Sequence, residues 1–260
     1  MRRIGIGYRH AIAPWIDSRP PEIGCLEVTA EHFFDSPQAL HPLRAQYPIF
    51  VHGLGLSLGT PGPLDRRYLA RFKTVCDAAD AHWASEHIAF TRAADIDLGH
   101  LNPICPGPEA FAVLSDHVTE VMETLSRPLL LENITSHVQV QGRWRETEFM
   151  NRLCEQTGCG ILLDVTNLYI NSRNHDFDAH AWLRELTPSA IRQLHVVGYS
   201  HHDGRFEDLH AEATQDEVLE LMHAAVAYAD VQAIVLERDE RFPHPAELAA
   251  ELKRMEATLV

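Results

Sequence analysis

The sequence predicts a (β/α)8 barrel, and three observations predict it. Seven short, mostly apolar runs each end on a carboxylate or a histidine: Cys25-Leu26-Glu27, Phe50-Val51-His52, Ser85-Glu86-His87, Leu130-Leu131-Glu132, Leu162-Leu163-Asp164, Gln193-Leu194-His195 and Val235-Leu236-Glu237. From Glu27 to Glu237 is 210 residues over six intervals, about 35 each, which is a fair length for strand, loop, helix and loop. An earlier run, Ile4-Gly5-Ile6-Gly7-Tyr8, brings the count to eight. Eight such units fill a chain of 260 residues as one barrel, whose strand ends converge on a single face where catalysis happens.

The other strands are expected near 24–30, 48–53, 83–90, 128–134, 160–167, 193–199 and 233–239. They are short and rich in Val, Ile and Leu, as strands covered on both faces should be. Helices lie between them. Residues 63–81 open with Pro63 after a glycine turn, and Leu69, Phe72, Val75 and Cys76 recur at helical spacing. Residues 108–125 begin with Pro108-Glu109 and carry Phe111, Leu114, Val118, Val121, Met122 and Leu125. Residues 145–157 stop at Gly158, a C-cap before the sixth strand. An Asp N-cap in Asn174-His175-Asp176-Phe177-Asp178 opens a further helix, and 214–229 and 244–257 supply the last two. Two longer connections, Thr91 to Gly107 and Ser200 to Glu212, follow the fourth and seventh strands, on the face where barrels keep their chemistry. No repeat or low-complexity tract interrupts the pattern, so residues 1–260 read as one domain.

Composition narrows the function classes. The formal charge is −15, from 22 basic and 37 acidic residues, and such a surface repels phosphate backbones, which disfavours nucleic acid. No run of about 18 apolar residues exists to span a membrane. Met1-Arg2-Arg3-Ile4-Gly5 is basic but is followed by no apolar signal segment. Five cysteines are scattered without a C-x-x-C pair, which fits reduced thiols and a cytoplasmic location. There is no G-x-S-x-G elbow, and Gly53-Leu54-Gly55-Leu56-Ser57 lacks the spacing of a phosphate-binding loop.

The seven strand-end residues carry the chemistry. Each alone has a bland reading: Glu132 could pair with an arginine, and Asp164 could cap the following loop. A buried ionised carboxylate without a partner is too costly to survive, so each needs a cation or must be neutral. Only one basic side chain, Arg238, adjoins any of the seven in sequence, and strand alternation points it the other way. The ring therefore has a deficit of positive charge that metal ions would fill. Asp208-Leu209-His210 adds a carboxylate and an imidazole from the long connection after the seventh strand. That is too many ligands for one ion, so a cluster of two or three is expected, and mixed nitrogen and oxygen ligation suits iron, manganese or zinc. His201-His202 reads as surface histidine.

Six segments resemble a known family. They are His52-Gly53-Leu54-Gly55-Leu56-Ser57-Leu58-Gly59, Ser85-Glu86-His87-Ile88-Ala89-Phe90, Leu130-Leu131-Glu132-Asn133-Ile134, Gly158 through Asn167, His195-Val196-Val197-Gly198-Tyr199 and Leu236-Glu237-Arg238-Asp239. In order, from Gly5 to about Glu251, they resemble the multinuclear non-haem iron-dependent oxidative enzymes. This family includes the methanobactin-biosynthesis oxidase and the cysteine β-carbon-excising enzyme of the 3-thiaglutamate pathway. The resemblance implies a barrel holding two or three irons in mixed ferrous and ferric states, and O2-dependent modification of a ribosomally made precursor peptide, most often at cysteine. A ferric-superoxo species taking hydrogen from the substrate Cβ is the working mechanism.

Carried over by position, the ligands are His52, His87, Glu132, Asp164, His195, Asp208, His210 and Glu237, with Asn167 close to the cluster. Glu27 and Glu31 match a neighbouring acidic motif and are placed beside the cluster or facing the substrate. The resemblance also implies a partner protein that binds the leader peptide. The chain departs from the family pattern at Val165-Thr166-Asn167, where Asn-Asn is common, and at Glu31-His32, where Glu-Asn is frequent. These departures bear on substrate rather than on metal. The competing reading is a trinuclear-zinc hydrolase or endonuclease, or a sugar isomerase, because those enzymes share the barrel and its ligand types.

Overall fold

Alternation along short parallel strands sends one set of side chains into a barrel and the other out to the helices. In the computed structural model, which describes residues 2–93 and 96–259, eight strands form that barrel: Arg3–Gly7, Leu26–Thr29, Ile49–His52, Ala84–His87, Leu129–Glu132, Gly160–Asp164, Ile191–Val196 and Ala233–Leu236. All pair in parallel in chain order, and the eighth closes on the first with Gly5 opposite Val235. Met1, Ala94, Asp95 and Val260, which the expected domain and the first long connection include, lie outside the described residues.

Outward-facing Leu26, Val51, Leu131, Leu163, Val196 and Leu236 are buried under Phe72, Val118, Leu153, Met222 and Leu252 of the surrounding helices. The inward set includes a separate small cluster of Cys25, Phe50 and Ala233, with Trp83 stacked on Phe50 at 4.3 Å between ring centroids. Gly5 lets the first and second strands approach closely, because a Cβ there would run into the Cys25 carbonyl oxygen.

Helices form at Arg66–Ala79, Pro108–Leu125, Glu146–Thr157, Asp216–Tyr228 and Pro245–Thr258, close to expectation. The first is capped by Asp65, whose carboxylate accepts from the Arg67 and Tyr68 amides at 2.9 and 3.1 Å. Asp65→Ala is expected to cost about 1 kcal/mol by orphaning those donors; a fall of roughly 2–4 °C in Tm would register it. The expected Asp178 cap is present too, accepting from the His180 and Ala181 amides ahead of helix Ala179–Glu185.

Four features differ from expectation. The strand expected over 160–167 ends at Asp164, because that carboxylate caps a new helix, Val165–His175, by accepting from the Asn167 amide at 2.7 Å. The strand expected over 193–199 runs from Ile191 to Val196. After the first and second strands the chain makes only short helical turns, Ala13–Asp17 and His41–Arg44 being the α-helical pieces. Both long connections fold into antiparallel ribbons, Ala89–Ala93 with Ile96–Pro103 and Gly198–His202 with Arg205–Glu212. Among the described residues no helix is long and apolar enough to cross a membrane.

Candidate metal centre

Six strand-end side chains meet inside the top of the barrel: His52, His87, Glu132, Asp164, His195 and Glu237. Each comes from a different strand, and each is the last or next-to-last inward residue before the chain leaves the sheet. Asp164 and His195 are fully buried, and the other four nearly so.

Their ligand atoms fall into overlapping sets. His52, His87 and Glu132 form one; Glu132, Asp164, His195 and Glu237 form a second; His210, Glu237 and Asp239 form a third, the atoms within each set lying within 4.8 Å of one another. Glu132 joins the first two sets. One of its oxygens is 3.4 Å from His52 Nε2 and 3.5 Å from His87 Nε2, while the other is 3.1 Å from His195 Nδ1. Glu237 joins the second and third, 2.9 Å from His195 Nδ1 and 3.7 Å from His210 Nδ1.

Each of the three deepest imidazoles is fixed from behind, which leaves one ring nitrogen for the centre. Ser85 Oγ is 2.9 Å from His52 Nδ1, and Glu86 Oε1 is 3.1 Å from His87 Nδ1. For His195 the outer partner is Glu27, whose Oε1 is 2.6 Å from Nε2. Glu27 is itself held by Gln193 Nε2 at 2.5 Å, and Gln193 accepts from the Trp83 indole at 2.7 Å. A hydrogen-bonded column thus runs up the barrel interior from Trp83 to His195.

The third set depends on the second ribbon. Gly198 faces Glu212 but Ser200 faces Glu207, so residues 208–211 bulge out of the pairing. His210 takes a left-handed φ of 48° there, a conformation that costs a non-glycine residue about 1 kcal/mol or more. The bulge puts His210 Nδ1 3.0 Å from Asp239 and Nε2 2.8 Å from Asp208. Arg9, after the first strand, pairs with Asp239.

The donors fit metal. Glu132 Oε2, Asp164 Oδ2 and Asp208 Oδ1 are buried with no hydrogen-bond partner, a state that a cation resolves. Mixed imidazole and carboxylate ligation suits iron, manganese or zinc. Electrostatics point the same way. Burial, then the Glu132 and Asp208 charges, push the Asp164 carboxyl well above its usual range. Burial opposes charge on His87, but Glu132 and Glu86 outweigh it and hold the ring at about 9. His52, buried beside two other imidazoles, is driven well below the usual range and stays neutral.

A metal ion needs neutral imidazole and ionised carboxylate, so it must displace the protons that His87 and Asp164 hold without it. Binding is therefore expected to release protons near pH 7 and to tighten as pH rises toward 9. Titration calorimetry in two buffers of different ionisation heat reads the release; pH-independent affinity with no release would contradict these assignments.

The other expected residues lie close by. Asn167 donates to the Asn133 carbonyl at 3.1 Å and accepts from Thr135, so its amide is engaged in holding the loop after the fifth strand. Asp208 stands behind His210, outside the three sets. Glu31 accepts from the Leu54 amide at 2.7 Å and from Tyr68, and burial with Glu86 nearby pushes its carboxyl to about 7. Arg238 points away, as alternation requires, donating to the Ala211 carbonyl and Glu251. His201 and His202 are exposed on the second ribbon. Asp239, Glu86, Ser85 and Gln193 are the contributors not anticipated. Asp239 had a signal, since it lies two residues past Glu237.

Comparison with known proteins agrees with this architecture. D-psicose 3-epimerase from Clostridium cellulolyticum superposes with a TM-score of 0.67 at 14% identity, covering 99% of each chain. Endonuclease IV from Thermus thermophilus gives 0.61 at 15% identity, over 99% of this chain and 98% of that one. These likenesses are of fold alone. In sequence, the chain is 36% identical over 256 residues to a UPF0276 protein of Chromobacterium violaceum, covering 97% of this chain and 91% of that one. A profile described as RiPP precursor modification enzyme MbnB/TglH/ChrH matches residues 3–260. With this match over nearly its whole length, the chain belongs to the MbnB/TglH/ChrH family of RiPP precursor modification enzymes.

Proposed function

We propose that this chain is an O2-dependent, multinuclear non-haem iron oxidase. Its substrate is a ribosomally made precursor peptide, modified in the cytoplasm at a cysteine Cβ, and a separate protein binds the leader. The observation that carries the reading is the sharing of Glu132 and Glu237 among three adjacent donor sets, which suits a cluster of two or three ions and not a single one. His52, His87 and Glu132 would hold one ion, Glu132, Asp164, His195 and Glu237 a second, and His210, Glu237 and Asp239 a third, with Asp208 and Asn167 at the edge. When bound, iron supplies one-electron chemistry with O2 and acidifies a coordinated thiol.

The chain's own part is positional. Ser85, Glu86 and Glu27 aim the imidazoles, and the closed barrel keeps bulk water from the deepest ligands. The third set is the open side, where Asp239 is exposed and His210 only partly buried. Leu54 and Leu209 stand 41% and 42% exposed on the connections around this face, offering apolar contacts to a peptide. The −15 charge weighs against a polyanionic substrate.

The test is elemental analysis of anaerobically purified protein, with Mössbauer spectra of an iron-enriched sample. Two or three irons per chain in mixed ferrous and ferric states are expected. Stoichiometric zinc without iron, even from iron-supplemented cells, would overturn the oxidase and favour hydrolysis.

A further inference from the structure

Cys154 and Cys159 lie outside the metal centre, at the opposite end of the sixth strand from Asp164. Helix Glu146–Thr157 stops at Gly158, whose φ of 76° is left-handed and whose amide donates to the Cys154 carbonyl at 3.0 Å. This cap turns the chain sharply into strand Gly160–Asp164. The thiol in the last helical turn and the thiol just before the strand are thereby brought face to face, 3.8 Å apart. A disulfide needs about 2.05 Å, so a small rotation of the two side chains closes the gap. Cys154 is half-buried and reachable, while Cys159 is buried behind it.

The remaining thiols are placed differently. Cys25 and Cys76 are buried among apolar side chains, and burial pushes both up to about 12, which keeps them protonated and unreactive. Cys105 is exposed and sits against the Gln141 carbonyl.

We propose that Cys154 and Cys159 are a redox-active dithiol, which a small-molecule disulfide converts to an intramolecular disulfide. The Cys154 thiolate attacks one sulfur of the incoming disulfide and expels the first small thiolate. Cys159 gives its proton to water, attacks Cys154 Sγ in the mixed disulfide and expels the second. Two protein thiols become one S–S bond, and one small disulfide becomes two thiols. The ring closed is short, so the unfolded chain loses little freedom and the gain in stability is modest. The bond's use is chemical: a pair that closes reversibly is spared the irreversible oxidation open to a solitary thiol. The assignment is independent of which metal the barrel holds.

The experiment treats the full chain carrying Cys105→Ser with oxidised glutathione, followed by acid quenching, intact mass and peptide mapping. Loss of two hydrogens is expected, mapped to a Cys154–Cys159 cross-link that reduced glutathione reverses, with a small rise in Tm. Cys159→Ser in the same background should stop with one glutathione on Cys154. The proposal fails if glutathione stays on Cys154 while Cys159 is present. It also fails if both thiols remain reduced under conditions that modify Cys105 of the unsubstituted chain, a readout needing no variant at the pair.

Discussion

Glu132→Gln is expected to disable two of the three donor sets in one step. The carboxylate stands between His52 and His87 on one side and His195 on the other. A glutamine keeps its volume but carries no charge and presents one oxygen in place of two. The first set then keeps two imidazoles, and the bridge to the second is lost. Metal content should fall to about one ion or fewer, and turnover should drop by three or more orders of magnitude, the order of loss when a central catalytic group is removed.

Stability of the metal-free protein separates this from simple misfolding. Burial, only partly offset by His195 and His87, raises the Glu132 carboxyl, and Asp164 and Glu237 stand in the same set. Removing one buried charge from that group relieves a cost, so the metal-free Tm should hold or rise. A variant that keeps its full metal complement would refute the bridging role. One that loses metal and also melts early would point to a structural defect.

Glu251→Ala should produce the largest loss of stability. Arg238 and Glu251 are 3% and 8% exposed and meet at 3.2 Å. Glu251 also accepts from the Thr214 amide and hydroxyl, each at 2.7 Å. The alanine strands a buried guanidinium and two donors, and removing one partner of a buried pair costs about 3–5 kcal/mol. For a chain of this size that is roughly 6–20 °C in Tm. Replacing both partners together, as Arg238→Met with Glu251→Leu, should recover most of the loss, because no charge is left unpaired. Thermal or urea melts of the single and double variants decide the point. Arg238 directly follows Glu237, so the single variant should also loosen the third donor set while the double variant leaves it in place.

The strand count, the strand order and the six deep ligands were legible because two periodicities coincide. Alternation in a strand puts residues 50 and 52, or 193 and 195, on the same inner face, and each unit restarts that pattern after a helix. Position along the strand then fixes depth, so the last inward residue reaches the shared cavity. Asp164 illustrates the limit of this reading. It was legible as a strand end, but its second role as the cap of helix Val165–His175 was not, because apolar Val165 reads equally as strand or helix. The ribbons were hidden for a related reason. Their pairing depends on contacts across a turn and on a bulge at 208–211, and local residue preference specifies neither.

Spacing and residue type, which are properties of the chain, dictate the barrel, the deficit of positive charge at its mouth and the set of residues able to fill it with metal. Three further matters were settled by the folded arrangement: which carboxylates are shared, which nitrogen of each imidazole is committed to Ser85, Glu86 or Glu27, and that Asp239 joins His210. Sharing and orientation are relations between atoms on different strands. They are set by strand stagger, ring rotation and the left-handed turn at His210, which come into being when the barrel closes.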